Sequence, residues 1–128
     1  MSTVVITRTY DEAMSLLIEA RNYLRFRQGD ALRMPPVERL KLTREAFRVT
    51  SRLTQVMAWL LLRRAVIEGE IADEESRLPE RRLAGQDVCL ASADDLGEWM
   101  PPAIGRLLDR SRALYERVHR LDRMLNQE

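Results

Sequence analysis

The sequence predicts an all-α protein: a three-helix bundle with a long loop before the third helix. Apolar residues recur at steps of three and four in three separate stretches, the period of a helix with one buried face. The second stretch, Pro36 to Glu68, contains no Gly or Pro after its first turn. Only five Gly and five Pro occur in 128 residues, so breakers are too few for a loop-rich chain. A chain of this length is expected to form a single domain over residues 1–128 with one ordinary core.

In chain order, residues 1–8 are short and β-branched and then polar, and are expected to be a flexible arm. Thr9-Tyr10-Asp11-Glu12 reads as a capping box opening the first helix. That helix runs to about Gln28 on a stripe of Tyr10, Ala13, Met14, Leu17, Ala20 and Leu24, and Gly29 is expected to stop it. Pro36 suits the first turn of the second helix, and Gly69 can end it. At about 1.5 Å per residue this helix is a rod about 50 Å long.

On a helical wheel Leu42, Ala46, Val49, Leu53, Val56, Met57, Leu60 and Ile67 form its core stripe. A second apolar patch, Ala58, Trp59, Leu62, Ala65 and Val66, points the other way, with Leu40 and Phe47 near its edge. The middle of that back side is polar: Arg44, Arg48, Ser51 and Gln55. Two readings of the patch stand: it packs beneath the following loop, or it is a dimer or partner surface anchored by Trp59. Residues 69–101 lack clear periodicity and are expected to be a long loop, packed in part through Leu83, Val88, Leu90, Leu96, Trp99 and Met100. The third helix runs from about Pro102 to about Asn126 on Ile104, Leu107, Leu108, Ser111, Leu114, Tyr115, Val118, Leu121 and Leu125. Arg64 and Asp122 interrupt the stripes and are expected to be wet, near helix ends.

The charge pattern excludes more than it assigns. Twenty-one basic residues against 20 acidic ones give a net charge of +1, which does not suit a dedicated phosphate-backbone binder. All the basic residues except Lys41 are Arg, which favours Arg–carboxylate pairing. In the third helix the arginines alternate with Asp109, Glu116 and Asp122, which favours pairing within the helix. A nucleic-acid-associated transcriptional or cell-cycle regulator therefore stands only as the alternative function. His119 reads as a helix-surface histidine rather than a general base. Cys89, the single cysteine, reads as a packed or idle thiol rather than a nucleophile, and fits a reducing cytoplasm. One Cys and one His cannot build a structural zinc site, and the acids from Glu68 to Glu75 lack the spacing of a calcium loop. No catalytic, metal or cofactor site is expected. Met1 to Arg8 holds no long apolar run, so no signal peptide is expected. The longest apolar run, Val56 to Leu62, is too short to span a membrane.

Three segments carry a resemblance. They are Gln55-Val56-Met57-Ala58-Trp59-Leu60-Leu61 continuing to Arg64-Ala65-Val66 and Gly69-Glu70-Ile71; Leu83-Ala84-Gly85-Gln86-Asp87-Val88-Cys89-Leu90; and Leu114-Tyr115-Glu116-Arg117-Val118 on to Leu125. In these the chain resembles the alphaproteobacterial family typified by RcdA, the regulator of CtrA degradation. The resemblance covers most of the chain, from the first helix onward, and includes no catalytic motif. It implies a three-helix bundle that forms a homodimer. It also implies a cytoplasmic adaptor, open to recruitment to the cell pole, that joins the ClpX/ClpXP protease and a response-regulator partner and helps deliver substrate proteins of the cell cycle. Family members have variable C-termini, and with the chain ending at Glu128 a delivery tail is expected to be short or missing.

Overall fold

The computed structural model describes residues 2–26 and 28–126, without the side chains of Gln28 and Asp30. Three long helices form the bundle: α1 (Thr3–Phe26), α3 (Pro36–Ile67) and α6 (Pro102–Leu125). A short helix, α2 (Gln28–Leu32), links the first two, and between α3 and α6 lie only single helical turns. These are α4 (Asp73–Ser76), a 3-10 turn at Pro79–Arg81, α5 (Gln86–Cys89) and a 3-10 turn at Gly97–Trp99. The core is shared by the long helices: Ile6 and Leu16, then Leu53, Val56 and Leu60, then Ile104, Leu114, Tyr115 and Val118.

The second and third helices start and stop where the sequence places them. Pro36 and Pro102 open α3 and α6, where a missing N–H costs nothing. Gly69, with φ 79°, takes the left-handed conformation after α3 at little steric cost.

The first helix departs from expectation at both ends. The arm is not flexible over residues 3–8; it is the first turns of α1, while Met1 lies outside the described residues. Ile6 is 1% exposed, and this burial outweighs the reluctance of a β-branched run to be helical. Thr9 is therefore mid-helix, and its Oγ1 donates to the Val5 carbonyl one turn back (2.7 Å) instead of capping. Gly29 does not stop the helix either; it lies inside α2. A buried Ile6 has a measurable consequence. Ile6→Ala is expected to lower unfolding free energy by about 2–4 kcal/mol in urea titrations, whereas a flexible arm would give no change.

The helix directions explain the long third connection. Arg64 stacks over the Tyr10 ring (4.9 Å), while Tyr23 and Leu42 line one groove, so α1 and α3 are antiparallel. Arg52 reaches the Leu108 carbonyl (3.0 Å) and Trp59 reaches Asp122 (2.9 Å), so α3 and α6 run parallel. Two consecutive long helices can be parallel only if the chain between them returns the length of the rod, about 50 Å. Residues 69–101 make that return as a strap laid along α3 and α6. Ser76 meets Arg63, Cys89 meets Arg52, and Asp94 meets Glu45 and Arg44. The expected loop is thus an ordered crossover.

Candidate functional surface

What holds the strap is a row of arginines on one side of α3. Arg52 is 1% exposed, and its Nε donates to the Cys89 carbonyl (2.8 Å). Its Nη1 donates to the Leu108 carbonyl and to Ser111 Oγ (3.2 Å). One turn earlier, Arg48 Nε donates to the Val88 carbonyl (3.1 Å), and Arg48 also pairs with buried Glu45. Glu45 Oε1 accepts from the Asp94 backbone N–H (2.9 Å). From α6, Arg112 donates to the Ala91 carbonyl (3.2 Å) and Tyr115 Oη donates to the Ala84 carbonyl (2.7 Å). At the far end Arg63 binds Ser76 Oγ and Asp73.

A strap without a sheet partner or a continuous helix leaves carbonyls that need donors. Arg supplies several donors from one planar head, which Lys cannot do. Four charged residues of α3 (Glu45, Arg48, Arg52, Arg63) are buried against the strap in this way. Burial, then Arg112 and Arg48, lower the Arg52 pKa, yet a guanidinium remains charged at neutral pH.

Asp122 is not a wet side chain near a helix end, as its position suggests. It is 2% exposed, accepts from Trp59 Nε1, and is paired by Arg82 from the strap (3.2 Å). Arg64, by contrast, is exposed, as expected.

Cys89 and Tyr115 share the buried region beneath the strap, and burial pushes both their pKa values up. Arg52 opposes the shift at Cys89 without reversing it, so the thiol stays protonated and poorly nucleophilic. His119 stacks on Tyr115 with ring centroids 6.4 Å apart. Among the described residues, no three His, Cys, Asp or Glu side chains converge to hold a metal ion.

The two raised pKa values have a sign. The folded chain keeps protons that the unfolded chain gives up, so unfolding releases protons and stability falls as pH rises above the ordinary thiol value of 9.0. Urea midpoints at about pH 8 and about pH 10.5 are expected to show this fall, and Cys89→Ser with Tyr115→Phe to flatten it.

The five residues of the sequence-derived patch do not share one surface. Trp59, the expected anchor, is 4% exposed and lies beneath the strap. Its ring borders a crevice of 250 Å³ formed with Gln55, Ala58, Leu62 and the strap residues 80–84. This corrects the reading of Trp59 as part of an open seam: the 69–101 crossover covers that side, and Asp122 completes its hydrogen bond. Leu62 is half-buried in the same crevice, and Val66 is half-buried against Arg77 and Leu125. Ala58 is exposed at the rim of that crevice, and Ala65 is half-buried; both border a neighbouring strip that the strap leaves open.

That strip includes large side chains which the wheel put only at the patch edge or did not single out: Leu40 at 70% exposure, Phe47 at 68% and Leu61 at 49%. Beside it, Tyr23, Leu24, Ala31, Leu42, Ala46 and Phe47 enclose an apolar groove of 440 Å³. The signal in the sequence was an absence, namely helix positions without charge, rather than a cluster of greasy residues.

Three of the arginines of α6 pair with carboxylates. Arg112 pairs with Glu116 within the helix, whereas Arg110 and Arg117 reach Glu19 and Glu12 of α1. Of these three, Arg112 keeps the expected pairing within the helix, while Arg110 and Arg117 pair across to α1, which lies antiparallel alongside. Among the described residues, no helix is long and apolar enough to cross a membrane.

Fold and surface together define the class, a three-helix bundle with an arginine-held crossover strap and an open uncharged helix face. The chain belongs to the RcdA family. The family model described as "Protein of unknown function (DUF1465)" matches residues 1–128. The crystal structure of RcdA from Caulobacter crescentus CB15 superposes with a TM-score of 0.77 at 34% sequence identity, covering 98% of this chain and 92% of that one. No curated protein matches the chain.

Proposed function

We propose that this protein is a non-enzymatic adaptor in ATP-dependent proteolysis of the ClpXP type, acting in cell-cycle control through protein–protein contacts. The observation that carries the reading is the likeness to RcdA, which extends over nearly the whole chain and includes the strap. The expected partners are a second copy of the chain, the ClpX/ClpXP machinery with a response regulator, and substrate proteins, in the cytoplasm. An adaptor raises effective concentration by adding contacts, so it requires surfaces rather than reactive groups. The side chains that would otherwise suggest chemistry support this: Cys89 is buried and protonated, and the buried arginines hold backbone.

The test is binding and turnover with purified components. The protein is expected to bind ClpX, alone or primed with the response regulator, and to speed degradation of a cell-cycle substrate. Absence of both effects overturns the reading.

A further inference from the structure

We infer that the end of the bundle where α1 begins and α3 and α6 finish holds a segment of a partner protein whose apolar side chains are flanked by lysine or arginine. The inference deepens the adaptor reading and rests on it for the need of a partner; the place and the chemistry come from the end itself. Two hollows meet there. One, of 300 Å³, lies between α1 and α3, with Thr3, Thr7, Tyr10 and Arg64 in its walls. The other, of 290 Å³, lies among α3, α4 and α6, with Arg63, Val66, Asp73 and Leu125 in its walls. Ile6 and Ile67 line both, so they form the ridge between them.

Protein interiors leave few voids as large as a side chain. This end of the core is open instead, and the apolar residues on the turns that frame it stay in solvent: Val4 is 57% exposed, Ile67 44% and Met124 70%. Each hollow has room for a large apolar side chain. Arg63, buried on the wall of the second, donates through both terminal nitrogens, but its Nε has no acceptor among the described residues. A carbonyl of a bound backbone would supply one.

Charge selects the occupant. From Arg63 to Glu80 the chain carries six acids against three arginines. Those arginines are engaged: Arg63 and Arg77 on Asp73, and Arg64 on Glu68 and over the Tyr10 ring. Glu70 and Glu74, and Asp11 on the wall of the first hollow, are exposed and have no ion-pair partner among the described residues. The far end of the bundle has the opposite sign, with Arg25, Arg33, Arg39 and Arg106 paired to no carboxylate among the described residues. A field of this form draws a cationic segment to the acidic end and turns an acidic one away. The same acids repel nucleic-acid phosphates and anionic lipid headgroups, which leaves a protein segment as the occupant. Apolar anchors seated in hollows inside a polar rim are the plan of such an interface.

Fluorescence anisotropy at physiological salt tests this, with a labelled peptide of about 16 residues that has leucine at helical steps of three and four and lysine elsewhere. It is expected to bind, and the same peptide with glutamate for lysine is not. Glu70→Lys with Glu74→Lys, on exposed positions, should weaken binding about 10-fold or more. Glu38→Lys with Glu98→Lys changes the net charge equally at the far end, more than a Debye length away, and should leave the affinity within about 2-fold. Ile67→Gln should weaken it about 10-fold, with circular dichroism unchanged. Equal weakening by the two charge reversals, or no effect of Ile67→Gln, shows attraction by charge alone and overturns the site. Displacement of the peptide from the wild-type chain by an excess of the Glu70→Lys, Glu74→Lys variant, whose basic end is intact, puts the end of a second copy there and overturns the partner segment. Failure of the leucine–lysine peptide to bind a chain that still binds ClpX and speeds turnover overturns this site and leaves the adaptor reading standing. Peptide binding here without any effect on ClpXP overturns that reading alone.

Discussion

Trp59→Asp is expected to destabilise the single chain by about 4 kcal/mol or more, enough to leave most of the protein unfolded or nearly so. Trp59 fills the space between α3, the strap and α6, and its indole N–H satisfies Asp122. Aspartate there would leave a void, remove the donor, and set a second carboxylate beside a buried one. Arg82, already paired with Asp122, offers the nearest compensation. The measurement is urea denaturation followed by circular dichroism, repeated at several protein concentrations. A substitution that left the helical signal intact and only altered oligomeric state would show that Trp59 is an interface residue after all.

Arg52→Ala has the next largest expected effect, a loss of about 3–5 kcal/mol. The substitution removes the donor to three acceptors, the carbonyls of Cys89 and Leu108 and the hydroxyl of Ser111, all inside the protein. It also empties the volume of one of the largest fully buried side chains. Part of the loss should appear locally before it appears globally. Amides of Gln86–Leu90 are expected to exchange faster than those of α3, because the strap is tied down chiefly by side chains from α3 and α6 rather than by its own ladder. Arg52→Lys keeps the charge but not the fork of donors, and is expected to fall between wild type and alanine. Hydrogen exchange that remained uniform in Arg52→Ala would show that the strap is held by its apolar contacts, Leu83, Cys89 and Leu96, rather than by the arginine row.

Much of this architecture was legible in the residues because helices are local. The stripes expected to run to Ile67 and Leu125 repeat at helical spacing and are buried as far as Leu60 and Val118, while Ile67 is exposed, and Pro36, Pro102 and Gly69 mark boundaries through properties of single residues. The first turn of α1 was not legible. Val4-Val5-Ile6 has poor helical propensity, and only contact with the rest of the core makes helix the better state there. The strap was read as partly packed through Leu83, Val88, Leu90, Leu96, Trp99 and Met100; Leu83 and Leu96 are buried whereas Val88 and Trp99 are exposed, and its route was not readable. Whether a long connection doubles back or crosses over depends on whether the helices it joins are parallel, and no residue within it encodes that.

The candidate surface shows the same division. Sequence alone determined that the second half of α3 is apolar on two sides and that the chain resembles the RcdA family. Tertiary structure decided which of those sides is open. A helical wheel gives directions around an axis and does not say where the neighbouring segments lie. Once the strap occupies the Trp59 side, polar residues on that side become buried hydrogen-bonding groups, so Arg48 and Asp122 change meaning from polar surface to structural groups. The exposed strip from Leu40 to Ala65 keeps the composition the sequence gives it, but only the packed fold leaves it uncovered. Periodicity is set by the geometry of one helix, whereas exposure is set by everything packed around it.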